Sequence, residues 1–188
     1  MNKSPFAKTI HSLALISCTL YVLFALVNHF FPRILFLALA ITWGTIGYHF
    51  VMRLFVGWLV PLIVREKLNP EGSWFQSRSF EKKLYQRLRV RRWKGKMPTY
   101  DPREFSFTDN SPERIIRNSC SAELVHEVIA LLSFAPMLVI PVFGEAAVFI
   151  ITSILAALTH CVFVIMQRYN RPRLQQYLKR QGISSTKN

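Results

Sequence analysis

The sequence predicts an all-α integral membrane protein. Four transmembrane helices are expected, with a basic amphipathic cytoplasmic or interfacial segment between the second and third. Three observations predict it. Hydrophobic residues make up 51% of the 188 residues and gather in runs instead of recurring periodically. The runs approach the roughly 20 residues that cross about 30 Å of hydrocarbon at 1.5 Å per residue. The net charge of +14, from 24 Lys and Arg against 10 Asp and Glu, then has to lie outside them. Such a charge implies anionic lipid head groups or an anionic substrate as partners. Nucleic acid, the other usual partner of a basic chain, is set aside, because no nucleic-acid-binding fold fits between the spans.

The first span is about 10–31. Lys3 and Lys8 precede it, as in a signal peptide, but no small-x-small cleavage site follows, so it is expected to stay as an uncleaved span. Phe30-Phe31-Pro32-Arg33 is a short turn. The second span covers about 34–52, with apolar character continuing to 64. As one helix, 34–64 would be about 46 Å long, too long for one upright crossing. Either it tilts and kinks, or it crosses to about Met52 and continues as an interfacial segment; Arg53 and Pro61 favour the second. His49 and Arg53, four apart, share a face.

The segment 65–121 is the sizeable polar stretch and holds fourteen of the Lys and Arg. Trp74, Phe75, Phe80, Tyr85 and Trp93 are interleaved with the charges. Phe80, Leu84 and Leu88 recur at i, i+4 and i+8, while Lys82, Lys83, Arg87 and Arg91 fall largely elsewhere. This is the pattern of a helix lying in the head-group layer. Residues 99–110 read as a loop. Ser111-Pro112 reads as a helix start, with Ser111 as cap and Pro112 in the first turn. The third span is about 124–143, kinked or shortened by Pro136 and Pro141. Gly144-Glu145 is a turn, and the fourth span is 146–166. Basic residues number two before the first span, fourteen in the middle segment and six in the tail; the opposite turns carry Arg33 alone. Both termini and the middle segment are therefore expected in the cytoplasm, with the chain a single multi-pass domain of the cell membrane.

The three cysteines have no spacing pattern, which argues against a disulfide framework or a zinc knuckle. Ionisable residues within spans are expensive and tend to be functional. Glu123, His126 and Glu127 fall on one face of one turn. A carboxylate beside an imidazole can hold its tautomer and raise its basicity. The same group could supply metal ligands, and acids also favour a helix N-terminus. His160 is the second intramembrane histidine; it shares a helical face with Gln167, seven residues on, and also suits a structural bond between helices. Arg53 suits phosphate, a carboxylate such as Glu123, or snorkelling to the interface.

Gln167-Arg168-Tyr169-Asn170-Arg171-Pro172-Arg173 follows the fourth span without a spacer. Its arginines suit bidentate binding of phosphate or carboxylate, or polybasic anchoring, although anchoring does not explain Gln167 and Asn170. Pro172 is expected to end the helix, letting Arg171 and Arg173 turn back over the bundle mouth. Cys120 as an acylated nucleophile is disfavoured, because it lies on a different helical face from His126.

Several segments together carry a family resemblance. They are Trp74-Phe75-x-x-Arg78-x-x-Glu81-x-x-Leu84-Tyr85-x-x-Leu88-x-Val90-x-x-Trp93-Lys94-x-x-x-Pro98, Glu123-x-x-His126, and Gln167-Arg168-Tyr169-Asn170-Arg171-x-Arg173. The stretch from about 74 to 173 resembles the glycosyl-4,4′-diaponeurosporenoate acyltransferase family of small integral-membrane enzymes. The named member attaches a fatty acyl chain to the sugar of a glycosylated carotenoid. The resemblance implies acyl transfer to a lipid-linked hydroxyl, without implying a carotenoid acceptor.

The reading that joins these observations is a membrane O-acyltransferase acting at the cytoplasmic leaflet on a glycolipid or other lipid acceptor. His126, oriented by Glu123, is the candidate base. His160 is the rival base, or an oxyanion stabiliser with Gln167 or Asn170. Candidate substrate-binding residues are Gln167, Arg168, Asn170, Arg171, Arg173, His49, Arg53, Arg78, Glu81, Trp93 and Lys94. No cofactor or metal is expected. An acyl donor such as acyl-CoA, acyl carrier protein or phospholipid serves as co-substrate, held by the basic segment. Two other readings differ in kind: a metal-dependent lipid-modifying enzyme using Glu123, His126, Glu127, His160 and His49, and a non-enzymatic adaptor binding anionic lipid.

Overall fold

A computed structural model describes residues 4–180. Among the described residues it is helical, with no strands. The elements are α1 (Pro5–Phe30), α2 (Ile34–Val64), α3 (Glu81–Arg87), α4 (Val90–Trp93), α5 (Pro112–Leu132), α6 (Ile140–Phe143) and α7 (Ala146–Arg180), joined by short 3-10 turns. Four helical stretches are long and apolar enough to cross a membrane: α1, α2, residues Pro112–Phe143 and α7. The chain is thus a multi-pass membrane protein. It divides into two compact units, one of Met1–Trp58 with Val128–His160, the other of Leu59–Glu127 with Cys161–Asn188.

The first unit is built on close helix packing. Ser4 caps α1, its Oγ accepting the Ala7 N–H at 3.1 Å. The buried face of α1 is Ala7, Ile10, Ala14 and Ser17, and that of α2 includes Ala40, Ile41, Thr45 and Gly47. Small residues let two backbones approach. A Cβ on Gly44 would meet the Tyr21 ring at 2.9 Å. Three hydroxyls inside the helices are satisfied locally: Ser17, Thr45 and Ser133 donate to the carbonyls of Leu13, Ile41 and Ile129. Leu15, Ile34, Leu131, Leu138 and Val142 are each at least 70% exposed, as suits a face solvated by lipid tails.

The prolines expected to disturb the third span do so. The α-helix stops at Leu132, and Ala135–Val139 continue as a 3-10 turn before α6. The Tyr48 hydroxyl donates to the carbonyl of Leu132 at 2.9 Å, where the helix ends. Gly144 (φ +69°) and Glu145 (φ +43°) then reverse the chain in left-handed conformations, the first natural to glycine.

In the second unit Ile116, Cys120 and Leu178 form a buried core, with Leu68, Phe75 and Leu174 packed against it. The start of α5 is as the sequence suggests, the Arg114 N–H reaching Ser111 Oγ at 3.3 Å. Residues 99–110 are mostly loop around a 3-10 turn at Pro102–Phe105, pinned to α5 by Asn118 Nδ2 donating to the Glu104 carbonyl at 2.8 Å.

Helix α2 runs through Pro61 to Val64, so the apolar continuation of the second span is helical. Two expectations change. The basic segment is not one amphipathic helix. Arg89 adopts a left-handed conformation (φ +51°) that separates α3 from α4. Glu81 and Val90 are the buried residues of α3 and α4, while Phe80 and Leu88 beside them remain exposed. The expected helix end at Pro172 is also wrong: α7 runs through it to Arg180. An interior proline costs about 3 kcal/mol. Here burying Leu174 and Leu178 returns about 1.5–3 kcal/mol for each side chain fully buried. The Arg173 guanidinium also donates to the Tyr169 carbonyl at 2.6 Å beside the interruption.

Candidate functional site

The stretch 167–173 is helical, and its residues therefore point in different directions. Arg168 and Arg171, three apart, share a face; so do Tyr169 and Arg173, four apart. Each set meets different partners within the second unit.

Arg168 uses its whole guanidinium internally. Nε and Nη2 donate to Glu81 Oε1 at 2.8 and 2.6 Å, and Nη1 donates to Glu123 Oε1 at 2.6 Å. Nη1 also reaches the Trp74 carbonyl at 3.0 Å, and Nη2 the Gln76 carbonyl at 2.9 Å. Arg171, 2% exposed, donates through Nη2 to Glu123 Oε2 and through Nη1 to the Phe75 carbonyl at 3.1 Å, and it lies over the Phe75 ring. Two arginines and two buried carboxylates thus neutralise one another and grip the backbone of 74–76. A buried ion network holds only when each charge is met in this way. The sequence placed Arg168 and Arg171 on substrate and Glu123 on His126; in the structure both carboxylate oxygens of Glu123 receive these arginines.

The flanking polar residues are also engaged. Ser119 Oγ donates to Gln167 Oε1 at 3.0 Å, and Lys94 Nζ donates to Asn170 Oδ1 at 2.7 Å. Tyr85 donates to Glu81 Oε2 at 2.8 Å; burial and that carboxylate raise its pKa above the ordinary phenol range. Burial lowers the pKa of Lys94, and Arg173 and Arg91 add to the effect. Trp93 Nε1 donates to the Leu88 carbonyl at 3.0 Å and braces the bend between α3 and α4. Arg78 is exposed, its carbonyl accepting the first N–H of α3.

His126, half-buried on α5, lies flat against Phe163, with ring centroids 4.6 Å apart and planes 8° apart. One residue on, Glu127 Oε2 accepts the Trp74 indole N–H at 3.0 Å. Stacking on Phe163 fixes the plane of the imidazole. His49, Arg53 and His160 belong to the first unit. His160 is buried and within electrostatic reach of Arg53 and His49. Both ring nitrogens of His49 are buried without a hydrogen-bond partner, and Arg53 lies over the Phe6 ring. Among the described residues no three His, Cys, Asp or Glu side chains converge as a metal site.

The residues that sequence reasoning missed are mostly backbone. The carbonyls of Trp74, Phe75 and Gln76 carry no side-chain signal, although Trp74-Phe75 stood out as aromatic. Ser119 had no distinguishing spacing, and Tyr85 stood out only as one of the aromatics interleaved with the charges.

Residues 71–180, more than half of the chain, match the family described as glycosyl-4,4′-diaponeurosporenoate acyltransferase. The chain belongs to that family. It is accordingly an acyltransferase, using an acyl donor and a lipid acceptor. The family segment contains the whole Glu81–Glu123–Arg168–Arg171 network, together with His126 and His160, and excludes His49 and Arg53. No curated protein and no solved structure matches the chain.

Proposed function

We propose that this acyltransferase esterifies a hydroxyl of a glycolipid or other lipid acceptor at the cytoplasmic leaflet, with His126 as general base. The observation that carries the reading is the family match over 71–180, which encloses a half-buried histidine held flat on Phe163 beside a neutralised ion network. The imidazole takes the acceptor proton as the hydroxyl oxygen attacks the donor carbonyl. The carbon–oxygen ester bond forms, the donor's carbon–sulfur or carbon–oxygen bond breaks, and the proton passes to the leaving group. General-base assistance of this kind contributes about 10²–10⁴-fold. Glu123 serves by holding Arg168 and Arg171, and through them the 74–76 backbone, around the helix that bears His126. The basic segment holds the donor, whose candidates are an acyl-CoA, an acyl carrier protein and a phospholipid.

Lipid extracts of cells with and without the gene test the reaction class. A missing acylated lipid with its unacylated precursor accumulating is expected; an unchanged lipid profile rejects the proposal. His126→Ala should lower turnover at least about 100-fold with unchanged melting temperature. Full activity in His126→Ala, with loss in His160→Ala, would transfer the base role to His160.

A further inference from the structure

The second unit carries a hollow of about 420 Å³ that none of the four charged members of the ion network lines. Lys82 from α3, Arg89 at the bend, Arg91 and Arg92 from α4, and Arg173 from α7 line it, with Tyr85, Gln86 and Tyr169 as its uncharged walls and no carboxylate. Arg168 and Arg171, by contrast, face Glu81 and Glu123. The left-handed conformation of Arg89 turns the chain so that both short helices contribute to one wall. The Arg173 guanidinium sits 3.6 Å from the centroid of the buried Tyr169 ring, which holds it in place. Among the described residues Lys82, Arg89, Arg91 and Arg92 have no carboxylate partner. Five exposed like charges around one concavity raise its positive potential, which a bound anion lowers.

We infer that this hollow binds the clustered phosphates of the acyl donor, a group such as a nucleotide diphosphate with a further phosphate. A phospholipid phosphodiester brings about one negative charge, whereas five cations match a group of three or four. Arginine forks are suited to phosphate oxygens, which they bind by paired hydrogen bonds. The identity of the ligand as an acyl donor rests on the proposed function; the phosphate site itself rests on the geometry.

The test is coenzyme A binding to the full chain in phosphatidylcholine nanodiscs, by calorimetry at two salt concentrations. The double variant Arg89→Ala/Arg92→Ala and the single variant Lys82→Gln should weaken binding, the double by at least about tenfold, and flatten its salt dependence. Arg103→Ala, which removes an exposed cation paired with Asp101 away from the hollow, should bind like the parent. Lys82→Gln on the exposed face of α3 keeps the test valid if the double variant does not fold. The inference is overturned if the parent does not bind coenzyme A, or if the hollow variants bind it as tightly as the parent. It is also overturned if phosphatidylglycerol nanodiscs abolish coenzyme A binding, which would identify lipid head groups as the occupants. Coenzyme A binding without any acyl product would reject the proposed function and leave the phosphate site standing.

Discussion

Glu123 is fully buried and meets two guanidinium groups. Its removal would leave Arg171 charged, 2% exposed and without a counterion. Breaking a buried pair on one side costs about 3–5 kcal/mol, because the orphaned charge stays desolvated. Glu123→Ala should therefore lower unfolding free energy by about that amount, measured by denaturant unfolding in micelles. Unchanged stability would show that the network is not structural. His126→Ala should behave in the opposite way, with activity lost and stability kept. The contrast separates a residue that holds the site from one that performs its chemistry. The sequence put Glu123 and His126 together by spacing, and spacing did reveal their common turn. It could not show that Arg168 and Arg171 would both claim that carboxylate, with Glu81 sharing Arg168.

Helix ends were the least legible elements. The start of α5 at Ser111-Pro112 was readable, because a cap and an N-terminal proline act within a few residues. The ending expected at Pro172 was not, because a local penalty of about 3 kcal/mol is set against core burial supplied by α5 and the turn at 73–75. The break at Arg89 was hidden for a related reason, since an arginine rarely takes a positive φ and no residue type announced it. Close packing of α1 on α2 gives an independent test. Gly44→Ala puts a methyl against the Tyr21 ring and should destabilise by about 1–3 kcal/mol, whereas Gly57→Ala meets nothing within 4 Å and should be neutral or slightly stabilising. Equal melting temperatures for the two variants would refute the tight α1–α2 approach.

For the molecule as a whole, the distribution of positive charge makes a prediction about topology. The middle segment and both ends hold 22 of the 24 Lys and Arg, so reporters fused to the N-terminus, the C-terminus and the loop at 99–110 should all report the cytoplasm. A periplasmic or external signal from any of the three would break the four-span scheme and the assignment of the reaction to the cytoplasmic leaflet. By itself the sequence determined the four apolar spans, their expected orientation, the basic segment between the second and third, and the family. Each of these depends on composition summed over about 20 residues or on motifs short enough to read directly. Only the tertiary structure decided what Gln167–Arg173 does. As a continuous helix it turns Arg168 and Arg171 toward Glu81 and Glu123, and Tyr169 and Arg173 toward a basic hollow. That division depends on carboxylates 45 to 87 residues away in the chain, and charges so distant in sequence pair only when folding brings them out of water together.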